Sequence, residues 1–380
     1  MRFLHTSDWH LGRTLHGVDL TAHQAAFCDH LVQVVAEQRV DAVLIAGDVY
    51  DRAIPPVEAV DLLSTTLRRL AELTTVVLTP GNHDSAVRLG FGADLLTDRV
   101  RILADQRRVD RPVLFTGPDG ERVAVYGLPY LDPDVARHTL AADGAVLTRS
   151  HAAVLGAAMD RVRADLAERD GVRSVVLAHA FVVGGEASES ERDIRVGGVD
   201  HAPAAVFDGI DYVALGHLHG PQRIAEHIRY SGSPLAYSFS EARHAKSTAL
   251  IELDATGPAR VTPIPAPVPR RMTDLTGRLD DVLSSTGHDD DWVRVTVTDP
   301  LRPEDLYRRV KTRFPHALVI QHQPPATASA RRSAEVGPGR DPLEVVADFI
   351  AHVGGAAPTE AEADVLRQAY EQVMAAERSA

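Results

Sequence analysis

The chain has 380 residues, 44% hydrophobic and 24% charged, which allows a large core and more than one domain. Its formal net charge of −13 argues against a surface coated in basic residues for non-specific nucleic-acid binding, although local patches and bound cations can still dominate a site. No apolar run approaches the roughly 20 residues of a bilayer span, "MRFLHTSDWH" has no signal-peptide h-region, and the single Cys28 excludes an internal disulfide. The expectation is a cytoplasmic protein without membrane contact.

In chain order, "RFLHTS" (2–7) reads as a strand, and 22–38 as an amphipathic helix with Phe27, Leu31, Val34 and Val35 on one face. "DAVLIAG" (41–47) and "TTVVLT" (74–79) are continuous apolar runs, typical of strands buried on both faces. Between them Pro55-Pro56 opens a helix running to Leu73. Strands follow at 122–129, 173–180 and 211–217, with a helix at 150–169 and β-structure at 228–234 and 247–253. The alternation predicts an α/β fold, a layered sheet structure flanked by helices.

The Pro-rich 263–270 predicts a domain boundary. Beyond it "DWVRVTVTD" (291–299), a helix at 303–313 and a strand at 316–322 predict a small α/β accessory domain. Residues 324–340, rich in Pro, Ala, Ser, Gly and Arg, read as a linker. Two helices close the chain. Asp341-Pro342 with Glu344 starts the first, and a Thr359/Glu362 capping box starts the second. Their apolar stripes can cover each other, but two helices make a poor core, so docking on a partner's helices is favoured. The expected division is 1–265, 270–323, 324–340 and 341–380.

Five predicted strands end in Asp, Asn or His. "SDWH" supplies Asp8 and His10, "GDVYD" Asp48 and Asp51, "GNHD" Asn82, His83 and Asp84, "LAH" His179, and "GHLH" His217 and His219. Each piece alone has an ordinary explanation as a turn or a packed histidine. Together they place chemistry along one sheet edge, where open α/β folds put their sites. Residues two apart in an extended stretch face one side, so Asp8 with His10, and His217 with His219, can each grip one cluster. Carboxylate, imidazole and amide ligands suit Mn²⁺, Fe²⁺ or Zn²⁺ better than Ca²⁺. There are too many ligands for one ion and enough for two, with an Asp on the second strand placed to bridge.

These segments resemble the calcineurin-like metallophosphoesterase superfamily, whose fold is a layered β-sandwich flanked by helices. Within it, "LHTSDWHLGR", "AGDVYDRAIPP", "GNHDS", "DYVALGHLH" and "YSGSPLAYSFSE" resemble the SbcD family of bacterial nuclease subunits, strongly over 1–255 and in outline beyond. The resemblance implies two divalent ions, Mn²⁺ foremost. One is held by Asp8, His10, Asp48 and His219, the other by Asp48, Asn82, His179 and His217. It implies that His83 faces the phosphate and stabilises the transition state or protonates the leaving oxygen, with Asp51 or Asp84 orienting its ring. Two ions roughly 3.5–4 Å apart would clamp a phosphodiester and activate a water for in-line attack. Arg13, His16 and Arg52, in loops after metal motifs, are weaker candidates for flanking phosphates.

The resemblance further implies a homodimer joined to two copies of an SbcC-type coiled-coil ATPase, a nucleoid-associated heterotetramer of DNA repair and recombination. Its activities would be ATP-dependent exonuclease action on duplex ends and endonuclease action on hairpins. The ATP belongs to the partner, since this chain has no G-x-x-x-x-G-K-[ST] loop. The alternatives are a protein or small-molecule phosphoesterase of the same fold, or a DNA-end tether. Ser/Thr phosphatases resemble "GDVYDR" too, but Ala53 and Asp84 stand where their pattern has Gly and Glu.

Overall fold

The computed structural model describes residues 1–141, 145–191, 201–325, 341–354 and 356–377. They divide into two units, Met1–Met272 and Thr273–Ala380. The first runs β1 (Arg2–Thr6), a β2–β3 hairpin (Thr14–Leu15, Val18–Asp19), α1 (Thr21–Gln38), β4 (Ala42–Ala46), α2 (Val57–Leu73), β5 (Thr75–Thr79), α3 (Ala86–Leu89), β6 (Val100–Ile102), β7 (Val113–Thr116), β8 (Arg122–Leu128), α4 (Pro133–Thr139), α5 (His151–Ala167), β9 (Val172–His179), β10 (Tyr212–Gly216), β11 (Gln222–Arg223), β12 (Ile228–Tyr230), β13 (Ser247–Glu252) and β14 (Arg260–Pro265).

Apolar runs without alternation become strands covered on both faces, and here each face has a different partner. One sheet has the order β14-β13-β1-β4-β5-β6, the other β11-β12-β10-β9-β8-β7. Phe3, Leu44 and Val77 of the first meet Val125, Leu177 and Ala214 of the second in a core between the sheets. The alternate residues Leu4, Val43, Ile45 and Val76 pack outward with Phe27, Leu31 and Leu63 of α1 and α2. On the far side Tyr126, Val176 and Leu215 pack with Val154, Met159 and Val162 of α5. The result is a helix–sheet–sheet–helix sandwich, and at about 25 cal/mol per Å² of apolar surface its three buried layers are the main driving force.

The sequence reading departs from this fold in places. The Pro-rich stretch begins inside β14, where Pro263 and Pro265 pair with Ala249 and Ser247. An edge strand tolerates residues that cannot donate to the ladder, so these prolines mark a sheet border, and the chain divides at 272/273. Pro56 is the N-cap of α2, with the helix starting at Val57. The β-structure at 228–234 stops at Tyr230, and the short β6 and β7 were not anticipated.

The second unit contains β15 (Met272–Gly277), which begins at the division, then α6 (Leu279–Ser284), β16 (Trp292–Val297), α7 (Leu306–Arg313), β17 (Ala317–His322), α8 (Pro342–Gly354) and α9 (Glu360–Glu377). β16 and β17 are parallel with α7 as the crossover. Val293, Val295, Val310 and Phe314 lie in its core. Both predicted caps form: Asp341 accepts from the Leu343 N–H at 2.9 Å, and Thr359 exchanges bonds with Glu362. Most of the predicted linker, 326–340, lies outside the described residues.

Candidate metal centre

β1, β4 and β5 are parallel neighbours, as are β9 and β10, so five strands in two sheets release their chains at one edge. The loops after β1 and β4 are laced by backbone bonds, Asp8 N–H to Gly47 O and His10 N–H to Asp48 O, each 3.0 Å. Asp8, His10, Asp48 and His217 all have positive φ, at 54°, 45°, 48° and 107°. Such backbone is costly for residues with a Cβ and tends to cluster at functional sites. The two-residue spacing therefore works by left-handed turns beyond the strand ends, not by the extended backbone expected from the sequence. The middle residues are anchors. Trp9 is fully buried, donates Nε1–H to Thr6 Oγ1 at 3.0 Å and packs edge-on against Phe27. Leu218 is buried in the outer core under α5.

Gly47 and Gly81 leave room for the side chains that converge here. At Gly47 (φ 84°) a Cβ would stand 2.3 Å from His179 Nδ1, and at Gly81 2.7 Å from Asp48 Cγ.

The polar atoms meet in three overlapping groups, each with ligand atoms within 4.8 Å of one another: Asp8, His10 and His219; Asp8, Asp48 and His179; and His10, Asp48 and His83. Asn82 joins through its amide oxygen, 2.8 Å from His179 Nε2 and 3.2 Å from His217 Nδ1. Asp48 lies between the groups, with Oδ2 3.7 Å from His10 Nε2 and 3.4 Å from His179 Nε2. Its Oδ1 accepts the His83 N–H at 2.8 Å. Asp8 accepts the His217 N–H at 3.0 Å and the Ser7 hydroxyl at 2.5 Å.

The electrostatics fit cations. Burial, opposed by His179 and reinforced by the Asp48 charge, pushes the Asp8 carboxyl up to about 7. Burial would raise Asp48 as well, but the His179 charge and hydrogen bond, with His10 and His83, hold it well below the usual carboxylate range. Burial lowers His10 and His217, keeping both rings neutral and able to offer a lone pair. His179 donates Nδ1–H to Ala46 O at 3.0 Å, which turns Nε2 inward. His10 Nε2 and His219 Nε2 face each other at 3.0 Å. Two buried carboxylates, an amide oxygen and converging imidazole nitrogens form a donor set for two divalent ions.

The remaining expected residues divide. The Asp84 carboxylate accepts the N–H groups of Val49, Tyr50 and Gly81 at 2.9–3.0 Å, tying the β4 and β5 loops together. Asp51 offers His83 its backbone carbonyl, 2.7 Å from Nδ1, while its carboxylate faces His10 Nδ1 at 3.6 Å and Arg13 Nε at 3.7 Å. The His83 ring nitrogen thus meets the main-chain oxygen of Asp51. Arg13 turns inward, donating to Ser190 O at 2.9 Å and lying over the Tyr237 ring. His16 and Gly17, both at positive φ, form the two-residue turn of the β2–β3 hairpin, with His16 exposed. Arg52 is also exposed, 3.9 Å from Asp51.

Sequence reasoning missed Ser190, Glu241 and Lys246. Ser190 Oγ is 2.7 Å from His219 Nδ1 and bonds Glu241 Oε1. Lys246 Nζ meets Glu241 Oε2 at 2.5 Å. Burial would raise the Glu241 carboxyl, but His219 and the Lys246 ammonium hold it well below its usual range. "YSFSE" carries no spacing signal for this. Glu241 and Lys246 follow the largely buried stretch 230–239 and are themselves buried, which the sequence does not announce.

A profile of the calcineurin-like phosphoesterase family matches residues 1–221. The chain belongs to that family. Its sandwich of two sheets between helices is the metallophosphoesterase fold, and the family is one of phosphoester hydrolases. A second profile, SbcD_C, described as the type 5 capsule protein repressor C-terminal domain, matches residues 268–353. Among solved structures the chain is similar to TT1561 of Thermus thermophilus, at 14% identity over 69% of this chain and 98% of that one, TM-score 0.40. It is similar to a dimetal phosphatase from Danio rerio, at 13% identity, 69% and 98% coverage and TM-score 0.40. It is also similar to GAP50, the anchor in the inner membrane complex of Plasmodium, at 11% identity, 70% and 84% coverage and TM-score 0.40. Among the described residues no helix is long and apolar enough to cross a membrane.

Proposed function

We propose that the chain is the nuclease subunit of an SbcC–SbcD-type complex, hydrolysing DNA phosphodiesters at duplex ends and hairpins. The observation that carries the reading is the donor set of buried Asp8, His10, Asp48, His179, His217 and His219 with half-buried Asn82, in a chain whose residues 268–353 match the SbcD_C profile. Asp8, His10, Asp48 and His219 would hold one divalent ion, and Asp48, Asn82, His179 and His217 the other, with Mn²⁺ favoured by the mixed donors. When bound, such ions neutralise phosphate charge and lower the pKa of water.

The chain's own residues do the rest. His83 donates Nδ1–H to the Asp51 carbonyl, which aims Nε2 at the cluster, 4.0 Å from Asp48 Oδ2. From there it can stabilise developing charge or protonate the leaving oxygen. Asp84 pins the loops that carry Asp48 and His83, so the ligand and the proton donor keep their register. His16 and Arg52, both exposed, are the candidates for flanking phosphates. Arg13, engaged inward, is better suited to bracing the loop.

Residues 1–265 would be the nuclease domain, 270–323 the DNA-capping domain, 324–340 a linker and 341–380 the ATPase-docking segment. Phe349, Val353, Val365 and Val373 on α8 and α9 are exposed, in keeping with a partner. For a homodimer the support is a set of exposed apolar residues, Ile54, Val57, Val87 and Phe91, on segments joined by the Arg88 to Ala53 O bond.

The test is an assay of the chain with Mn²⁺, with and without a coiled-coil ATPase partner, on hairpin DNA, blunt duplex and a phosphoprotein. Cleavage of DNA alone is expected, and His83→Ala should keep metal binding while losing cleavage by at least a hundredfold. Dephosphorylation of the protein with intact DNA would overturn the nuclease reading.

A further inference from the structure

We propose that Glu241, held by Lys246 and acting through Ser190, is a positioning residue that fixes the proton of His219 on Nδ1 and so turns its Nε2 lone pair toward Asp8 and His10. The inference deepens the two-ion reading and rests on it.

The hydroxyl protons around the His219 ring fix its tautomer. Ser190 has one hydroxyl proton, and it is committed to Glu241 Oε1. Its neighbour Ser188, 3.0 Å away, commits its own proton to Glu191 Oε2 at 2.6 Å. Toward His219 Nδ1, at 2.7 Å, Ser190 can therefore only accept. The second oxygen near Nδ1 is Glu241 Oε1 at 3.3 Å, a carboxylate that also only accepts. A nitrogen facing two acceptors must carry the proton, which leaves Nε2 as the lone-pair atom. That atom lies 3.0 Å from His10 Nε2, on the ligand side of the ring.

The rest of the network holds the carboxylate still. Lys246 Nζ donates to Glu241 Oε2 at 2.5 Å, to Ser233 Oγ at 2.8 Å and to His219 O at 2.9 Å, using all three of its protons. Glu241 Oε1 also accepts the Tyr237 N–H at 3.2 Å. The backbone of His219 is fixed as well, its N–H donating to Glu191 Oε1 at 2.7 Å. Glu241 and Lys246 are 1% and 6% exposed. A buried ion pair gives little net stability over an apolar one, so stability alone is a weak account of this pair. A carboxylate behind a metal-binding imidazole fixes its tautomer and strengthens it as a ligand.

The experiment uses the full chain and two readouts. The first is Mn²⁺ binding followed by electron paramagnetic resonance of the free ion. The second is long-range 1H–15N spectra of the metal-free chain, with the His219 signal identified by its loss in His219→Gln. Wild type should bind two ions and show His219 protonated on Nδ1. Glu241→Gln should weaken one ion roughly 10–100-fold, leave the other unchanged and mix the His219 tautomers. Because Glu241→Gln strands a buried Lys, Glu241→Gln/Lys246→Met and Ser190→Ala are the alternatives if it misfolds, and each should shift the same two readouts. Wild-type affinity for both ions in these variants, or a wild-type His219 protonated on Nε2, would overturn the assignment. Fewer than two ions bound by wild type would remove the two-ion reading and this inference with it.

Discussion

Gly81→Ala adds a single methyl group and should still disable the site. An ideal Cβ at Gly81 stands 2.7 Å from Asp48 Cγ and closer still to Asp48 Oδ1 and its backbone nitrogen. Ordinary van der Waals contact begins at 3.4 Å, so the β4 and β5 loops must part by roughly 1 Å. Asp48 cannot yield by choosing another rotamer, because its backbone nitrogen is among the clashing atoms. Asp48 belongs to two of the three ligand groups, so in the two-ion reading both ions would lose geometry together. A misplacement of about 1 Å costs on the order of a hundredfold in rate, or about 2.7 kcal/mol of barrier. The assay is kcat/KM on bis-p-nitrophenyl phosphate with saturating Mn²⁺, alongside Mn²⁺ binding and thermal unfolding of the metal-free chain. The expected result is at least a hundredfold loss of kcat/KM and weaker binding of both ions. A variant that binds two ions with wild-type affinity and turns over normally would refute the claim that this close approach sets the position of Asp48.

Gly216→Ala should fail earlier, because its Cβ would collide with the Ala46 carbonyl across the two sheets; soluble expression with native circular dichroism would count against that packing. His5 is pushed down to about 3 by burial, against a hydrogen bond to Leu215. The unfolded chain therefore takes up a proton below pH 6.5 that the folded chain refuses until about pH 3, and folding stability falls by about 1.4 kcal/mol per pH unit in that window. His5→Gln should reduce the pH dependence of urea-unfolding free energy between pH 4 and 6 by one proton, and an unchanged slope would refute it. Phe314→Ala, at a fully buried position, should cost about 3–5 kcal/mol, read as lost hydrogen-exchange protection in β16 and β17; wild-type protection there would refute it.

The parts of the fold legible in the sequence were those in which one physical signal dominates. Residues 42–46 and 212–216 are apolar throughout or nearly so, 75–79 is apolar between two threonines, and both faces of these strands are covered. The candidate ligands were visible because they follow such strands directly, and one edge was the only place the chain could gather them. Val100–Ile102 and Val113–Thr116 are too short to show a period. Pro263 and Pro265 look like a border in one dimension and are an edge strand in three. The His83 Nδ1 contact has no side-chain signature, since its partner is the carbonyl of Asp51. Glu241 escaped notice because its meaning lies in contacts 22 and 51 residues away, with His219 and Ser190.

The candidate ligands are shared between the sheets: Asp8, His10, Asp48 and Asn82 follow strands of one, while His179 ends a strand of the other and His217 and His219 follow its neighbour. A bound ion would act as a rivet through the seam, because neither half can assemble the cradle alone. At a hundred times its dissociation constant, each such ion would add about 2.7 kcal/mol to the clamping of the halves. Chelation should then make the sandwich breathe along this margin, and distant lesions that let the layers slip should register first as poor retention of metal.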